Sequence, residues 1–357
     1  SAAVSPNASL ISELIPVNSI SASAITYKVC GDWEYREVNG AARIMGYNGN
    51  ATSVTTPKTL DGKPVKSLAG TFEGNTTLKS VTVSEGVEEI WCSVFENCTN
   101  LTKVTLPSTL KKVQAYAFKN SGLVSITIPA NVTYIGYSAF ESTKLKNVTI
   151  KGNPEISRAF EKTPNLEKIW IDKKNVATFA EAFMYNKNLR YINNIAIICK
   201  RSNGELYVNQ TYIDIIRNIN DNKYINEYIL QEAKRVVDDV TTSDMADYQK
   251  AKALHDWICK KVSYDYADVD ATKNHVDSSI FLNDTTVCEG YAFGYALLLQ
   301  AADIKAYVLD GPGHAWNIVK LGDYYFHIDV CHDDGTGSNF DLSHYVLSDT
   351  AIKKECA

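Results

Sequence analysis

The chain of 357 residues is longer than a usual single domain, so its length predicts two domains. Apolar residues make up 45% and charged residues 22%, which is typical of globular proteins and argues against disorder or a fibrous repeat. The formal net charge is −5 and basic residues form no block, which excludes a nucleic-acid partner. The most apolar run, around residues 292 to 302, is shorter than the about 20 residues that a membrane span needs, so none is predicted.

Residues 25 to 64 alternate in polarity as strands do, and Asn-Gly and Asp-Gly pairs mark the turns between them. Such a segment is typical of the terminal cap that a stack of repeats requires. We therefore expect residues 1–64 to form an N-terminal segment and cap.

Residues 65–195 repeat about six times with a period of 20 to 23 residues. One strand and one turn cannot bury their apolar side alone, whereas stacked copies share a continuous core. The repeat therefore predicts a β-rich solenoid whose copies end in short β-branched strands, and Cys98 falls at an inward position of the pattern. The core residues are Phe72, Phe95, Phe118, Phe140, Phe160 and Phe183, followed by Leu78, Leu101, Leu123, Leu145, Leu166 and Leu189.

The stretches VEEIWCSVFENCTNLTKVTLPST and VTYIGYSAFESTKLKNVTI resemble the BspA-like leucine-rich repeats of bacterial surface proteins. The resemblance implies an extracellular or cell-surface location and a repeat module that binds a protein partner. The chain opens SAAVSPNAS without an initiator Met, and we presume that a signal peptide has been removed.

From about residue 196 to 245 the apolar spacing becomes helical, and we assign 196–224 to a linker and 225–357 to the second domain. Ser243 or Asp244 is expected to cap the next helix. His255 lies beside the apolar stripe of this helix and is predicted to be structural. The stripe consists of Ala251, Leu254, Ile258 and Val262.

The stretch TTVCEGYAFGYALLLQ places Cys288 at the start of an apolar helix. The unpaired N–H groups and the positive end of the helix dipole at that point favour the thiolate, which is the reactive form of cysteine. A buried, inert thiol is the alternative that this segment alone leaves open.

Short strands follow the cysteine helix, which predicts an α+β domain with an antiparallel sheet. Gly322 and Asp323 separate two of these strands and suit a two-residue hairpin turn that pairs Leu321 with Tyr324. The predicted strand segments are KAYVLDG, HAWNIVK, YYFHIDV and HYVLS.

The same register places His314 opposite Cys331 and makes Asp329 a diagonal neighbour on the same face, within reach of the imidazole. Thiol, imidazole and carboxylate are together the parts of an activated cysteine nucleophile. The other face is wholly apolar and is expected to cover a core. It comprises Tyr324, Phe326, Ile328 and Val330.

The ordered motifs VCEGYAFGYALLL, GHAWNIV and YYFHIDV resemble the transglutaminase-like superfamily, whose core is papain-like. The resemblance covers about 225–350 and implies that Cys288 is the nucleophile, His314 the base and Asp329 the third member. One departure is that Cys331 and His332 follow Val330, where many bacterial members have a Thr-Trp pair after the Asp.

Three aromatic residues are further candidates for the site. Trp316 and Tyr291 are predicted to wall a substrate cleft, and Tyr264 to supply a second oxyanion donor. Metal-ligand residue types also occur together, but their spacing along a strand spreads them, so we predict no metal and no cofactor. These residues are His327, Cys331, His332, Asp333 and Asp334.

The sequence thus predicts a secreted or surface cysteine enzyme that transfers acyl groups from peptide or protein amides through a thioester at Cys288. Water as acceptor gives a peptidase or amidase and an amine gives a crosslinker, and the sequence leaves both open. The substrate is expected to be a host or cell-wall peptide or protein. The alternative function is a surface adhesin whose second domain is catalytically idle.

Overall fold

The computed structural model describes residues 27–172 and 179–334, so the predicted strand HYVLS lies outside the described residues. Short strands joined by turns are the main regular elements of the described residues up to Val208. They are β1 (Lys28–Cys30), β2 (Trp33–Val38), β3 (Ala41–Tyr47), β4 (Ser53–Thr55), β5 (Thr59–Leu60), β6 (Lys63–Leu68), β7 (Ser80–Thr82), β8 (Glu89–Ile90), β9 (Lys103–Thr105), β10 (Lys112–Val113), β11 (Ser125–Ile128), β12 (Tyr134–Ile135), β13 (Asn147–Ile150), β14 (Glu155–Ile156), β15 (Lys168–Trp170), β16 (Tyr191–Ile192), β17 (Ile195–Ala196), β18 (Ile198–Lys200) and β19 (Leu206–Val208).

Successive repeats stack through parallel strands. The longest sheet has the order β1-β2-β3-β6-β8-β10-β12-β14, with β5 beside β6, and its strands are parallel from β3 onward. The predicted β-branched strands form two further parallel stacks, β4-β7-β9 and β11-β13-β15-β16, the second extended by β17. In these strands Val81, Val104 and Val148 are buried, because one face of each strand is turned to the core. The predicted solenoid is confirmed, and the described part of the expected cap, residues 27–64, contains the strands β1 to β5 and the start of β6.

The predicted phenylalanines form one continuous aromatic stack through the repeats. From Phe72 to Phe183, neighbouring ring centroids lie 4.7 to 5.3 Å apart, and the ring planes differ by only 4° to 17°. All of these rings are at most 2% exposed. Cys98 is fully buried beside them, as predicted, and its thiol donates to the carbonyl oxygen of Phe72.

Truncating one ring in the middle of this stack should destabilise the repeats strongly. We expect Phe118→Ala to lower the free energy of unfolding by about 3 to 5 kcal/mol, because it removes contacts with both neighbouring rings and leaves a cavity. Urea unfolding followed by circular dichroism measures this change. Val124→Ala, at a side chain that is 38% exposed, is the control and should alter stability by at most about 0.5 kcal/mol. Equal effects of the two substitutions would contradict a continuous core.

The prediction of helical spacing from residue 196 is wrong for residues 195–208, which form β17 and the hairpin of β18 and β19. Asn203 and Gly204 supply the turn, and Gly204 has a φ of +92° that favours glycine. Beyond the hairpin, Tyr212 and Ile215 are buried in the core of the repeats. The segment predicted as a linker is therefore packed against the stack.

The second part of the chain has a helix, Cys288–Ala301, around which other helices and a small antiparallel sheet pack. Its elements are α1 (Ile213–Ile216), α2 (Lys223–Val240), α3 (Asp247–Lys261), β20 (Ser263–Tyr264), α4 (Ser279–Leu282), β21 (Thr285–Thr286), α5 (Cys288–Ala301), β22 (Ala306–Gly311), β23 (His314–Leu321), β24 (Tyr324–Ile328) and α6 (Val330–Asp333), with 3₁₀ turns at Gln210–Tyr212 and Thr272–Asn274. The order β22-β23-β24 is antiparallel, as predicted, and α5 packs against β22 and β23. None of the described helices is long and apolar enough to cross a membrane.

Helix α3 packs against α5 and α6, which carry residues of the site. The apolar stripe predicted for α3 is buried in a second core, and His255 is fully buried, as predicted. However, α3 begins at Asp247, and the Gln249 side chain accepts a hydrogen bond from the Ala246 N–H at its start, so neither Ser243 nor Asp244 caps it.

The hairpin has the predicted turn register, with Leu321 opposite Tyr324. The predicted pair of His314 and Cys331 is wrong, because β24 ends at Ile328 and the chain then turns into α6, while His314 pairs with Gly311 of β22. Burial of the apolar face is confirmed for Ile328 and Val330 but wrong for Tyr324, which is 72% exposed beside the turn.

Candidate active site

Cys288 is the first residue of α5, which begins two residues after the end of β21. Val287 precedes it with extended backbone and has no polar side chain to cap the helix, so the first N–H groups of α5 face the site. The thiol is half-buried and accepts backbone hydrogen bonds from Ala315 and Glu289, and it is also hydrogen-bonded to the side chain of His314. The His314 bond lowers the pKa of Cys288 against the opposing effect of burial.

His314 is the first residue of β23 and lies between the thiol and a carboxylate. Its Nε2 is 2.6 Å from Oδ2 of Asp329, which leaves Nδ1 as the ring nitrogen that faces Cys288. The bonds to Asp329 and then to Cys288 raise the pKa of His314 to about 10, although burial acts in the opposite direction. At neutral pH the ring is therefore an imidazolium that donates from both nitrogens.

Asp329 follows β24 directly and is 2% exposed. Its Oδ1 accepts the His332 backbone N–H at 3.1 Å, so the residue also caps α6. Oδ2 accepts hydrogen bonds from Nε2 of His314 and from Nδ1 of His332, and the second of these is 2.9 Å long. Burial alone would raise the pKa of this carboxyl, but the hydrogen bonds from His314 and His332 hold it well below its usual range.

The three residues predicted as a catalytic set thus form one connected series of hydrogen bonds from sulfur to carboxylate. The cationic His314 ring favours the thiolate of Cys288, and the buried carboxylate of Asp329 favours the cationic form of His314. This arrangement favours the thiolate of Cys288, which is the form that cysteine-dependent acyl transfer requires.

The aromatic candidates have different surroundings. Trp316 is half-buried, and its ring stacks 6.0 Å from that of His314 while its Nε1–H donates to Nδ1 of His327. Tyr264 is half-buried, and its pKa is raised by burial and then by the negative charge of Cys288, so its phenol stays protonated.

Tyr291 does not line an open cleft, and that prediction is wrong. Its side chain is 1% exposed in the second core, and its hydroxyl donates to Asp334. The reason is that α5 is apolar nearly all round and is therefore packed on most of its faces.

A buried polar bridge ties α3 to α6. His255 is fully buried, with Nδ1 2.9 Å from Oδ1 of Asp256 and Nε2 3.3 Å from Oδ2 of Asp333. Because Asp333 ends the short helix that Asp329 caps, this bridge helps to hold the carboxylate in position. His255 was predicted to be structural, but its partner Asp333, 78 residues away in the chain, was not predicted.

His332 was also missed as a neighbour of the triad. Its ring stacks on that of His314 with centroids 4.4 Å apart. The Asp-x-x-His spacing could have revealed this contact. An Asp that caps a helix accepts a hydrogen bond from the N–H of the third residue after it, which brings that residue close to the carboxylate.

Comparisons with known proteins agree with this organisation. A model described as the BspA type leucine rich repeat region matches residues 68–190 in six copies, and the model of the transglutaminase-like superfamily matches residues 234–330. No curated protein matches the chain.

Among solved structures, the T. pallidum leucine rich repeat protein is 23% identical, with a TM-score of 0.41 over 48% of this chain and 83% of that one. The pneumococcal vaccine antigen PcpA is 21% identical, with a TM-score of 0.39 over 52% of this chain and 54% of that one. A structure described as a TGase is 14% identical, with a TM-score of 0.28 over 45% of this chain and 48% of that one. The matched family models establish that the chain carries a BspA-type leucine-rich repeat region followed by a domain of the transglutaminase-like superfamily.

Proposed function

We propose that this protein is a secreted or surface cysteine enzyme that transfers acyl groups from peptide or protein amides through a thioester at Cys288. The observation that carries the proposal is the hydrogen-bonded series Cys288–His314–Asp329, with its buried carboxylate 2.6 Å from the imidazole. A core role alone would not require three ionisable groups in this order, because burying charged groups costs free energy unless they are paired.

The first half of the reaction forms the thioester. The Cys288 thiolate attacks the amide carbon, a C–S bond forms, and the carbonyl oxygen becomes an oxyanion. His314 then gives its proton to the amide nitrogen, the C–N bond breaks, and the amine leaves. Asp329 keeps the ring oriented throughout and stabilises its cationic form.

Backbone donors at the start of α5 are the candidates for stabilising the oxyanion. The backbone N–H of Cys288 belongs to the first turn, where helix N–H groups have no partner within the helix. Tyr264 is the candidate for a second donor, because burial and the charge of Cys288 raise its pKa and so keep the phenol protonated.

The second half of the reaction releases the acyl group. A water or an amine attacks the thioester carbon, His314 accepts its proton, and the C–S bond breaks to regenerate the thiolate. Water gives hydrolysis and an amine gives an amide crosslink, so the acceptor alone separates a peptidase from a crosslinker.

The repeat region is proposed to bind either the protein that carries the substrate peptide or another protein next to it on the cell surface. Its parallel strands carry polar residues, among them Ser80, Lys103, Ser125 and Lys168, and of these Lys103 and Ser125 are exposed. Solenoids use such extended surfaces for protein binding.

Mass spectrometry of a trapped intermediate tests this proposal. The protein is mixed with a peptide library, quenched in acid and digested, and we expect an acyl adduct on the peptide that contains Cys288. Adding a primary amine before the quench distinguishes the two outcomes, because a crosslinker converts the adduct to an amide of that amine. The absence of an adduct on Cys288 with every peptide would favour an idle domain that serves only in adhesion.

A further inference from the structure

Two histidines share one carboxylate at the edge of the proposed triad. Nε2 of His314, Oδ2 of Asp329 and Nδ1 of His332 all lie within 4.8 Å of one another. Asp329 is the central member, 2.6 Å from His314 and 2.9 Å from His332. The two imidazole rings stack face to face, at an interplanar angle of 24°.

These three atoms are positioned by different elements of the fold. His314 begins β23, whereas Asp329 and His332 are joined by the turn that starts α6. The Asp329 side chain is held by the backbone N–H of His332, so it cannot swing away without losing the helix cap. The carboxylate is 3% exposed, whereas the imidazole of His332 is 54% exposed, which opens the cluster to solvent on one side.

The donor set matches the chemistry of zinc. Zinc in proteins takes imidazole nitrogens and carboxylate oxygens at about 2.0 to 2.2 Å, often three of them with a water in the fourth position. In tetrahedral geometry such ligands lie about 3.3 Å apart, so a small outward rotation of the exposed His332 ring makes room for the ion. Two imidazoles favour zinc over magnesium or calcium, which prefer sets made wholly of oxygens.

We propose that His314, Asp329 and His332 form a binding site for a divalent zinc ion, and that zinc bound there switches off acyl transfer. The residues differ from the set that the sequence analysis considered for a metal, of which only His332 is shared. The buried charge of Asp329 offsets part of the charge of the ion, and the open side at His332 gives the ion a route from solvent.

Zinc at this position acts on the base of the proposed reaction. A zinc ion bound to Nε2 of His314 replaces the proton that this nitrogen donates to Asp329. The His314 ring can then no longer alternate between imidazole and imidazolium. The inhibition rests on the proposed function, whereas the binding does not.

Calorimetric titration of the whole chain with zinc tests the binding. We expect one ion per chain, and His332→Ala should weaken binding by at least about tenfold, since even the loss of a partner outside the ligand shell costs about 10- to 100-fold in affinity. His275→Ala is the matched control, because it also removes an imidazole bonded to a carboxylate, that of Glu289, but one outside the three-residue cluster. It should bind zinc like the wild type.

Cobalt gives a second readout that does not depend on activity. The visible absorption of cobalt bound to the wild type should be strong and typical of a four-coordinate site, and it should be lost in His332→Ala. Equal zinc affinity in the wild type and His332→Ala, or no binding to the wild type, would overturn the site.

Inhibition is then measured on the acyl-transfer reaction. Zinc at concentrations that saturate the site should abolish turnover by the wild type, and His332→Ala should need at least about tenfold more. Binding without inhibition would overturn the regulatory part of the proposal alone. A wild type that binds zinc but never turns over substrate would instead contradict the proposed function and leave the site intact.

Discussion

Replacing Cys288 by alanine is expected to lower kcat/KM for amide acyl transfer by on the order of 10⁶-fold, which is what the loss of a nucleophile costs a triad enzyme. The reason is that the sulfur forms the bond on which both halves of the reaction depend. The remaining groups at the start of α5 can still bind and polarise an amide, so a small residual rate above the uncatalysed one should persist. Initial rates with the peptide identified by adduct trapping give this ratio.

The matched control for this variant is Cys331→Ala. Cys331 is a half-buried thiol of the same domain, and its pKa is raised, first by burial and then by neighbouring negative charges. A thiol of that kind stays protonated and is a poor nucleophile, so its removal should leave kcat/KM nearly unchanged. Comparable losses in both variants would mean that the effect comes from packing rather than from chemistry.

Replacing Asp329 by asparagine should lower kcat by on the order of 10⁴-fold, as the corresponding change does in a serine triad. Asparagine keeps the size of the side chain and still caps a helix, so α6 should be retained. What is lost is the negative charge that stabilises the His314 imidazolium. The pKa of Cys288 should rise in consequence, since its largest lowering influence is the bond to His314.

Asp323→Asn provides the control, because this carboxylate lies in the exposed turn of the same hairpin. It should leave kcat and the thiol pKa unchanged. Activity of Asp329→Asn within tenfold of the wild type would show that the carboxylate is only a helix cap.

The repeat region was predictable because its physics is local and periodic. Each copy carries its Phe, its Leu and its β-branched strand, so the stacking of Phe118 on Phe140 follows once the copies are placed one above another. The hairpin of β18 and β19 was harder to predict, since its Asn203-Gly204 turn lies within a segment whose apolar spacing also fits a helix.

The proximity of His314 and Asp329 was predictable to the extent that strand register determines it. The Gly322-Asp323 turn fixes one pairing, and the alternation along β23 then determines which face His314 occupies. The register argument failed beyond Ile328, because it assumed that the strand continues where Asp329 instead begins a helix.

Tertiary packing accounts for what the sequence did not reveal. The burial of Tyr291 depends on how closely neighbouring elements approach α5, and Gly290 permits that approach because a side chain there would meet the hydroxyls of Ser279 and Thr286. The contact between His255 and Asp333 is equally long-range, and neither residue carries a local signal of the other.

The pH dependence of Cys288 alkylation tests the central claim most directly. Iodoacetamide labelling is resolved by peptide mass, with the buried Cys98, whose pKa burial raises to about 11, as an internal reference. Because the pKa of Cys288 is lowered and that of His314 is raised to about 10, the thiolate should persist as an ion pair between these two values. The account predicts a labelling midpoint below the ~8.5 of an ordinary thiol, moved upward by His314→Ala. A wild-type midpoint at or above ~8.5 that His314→Ala leaves in place would contradict an activated nucleophile.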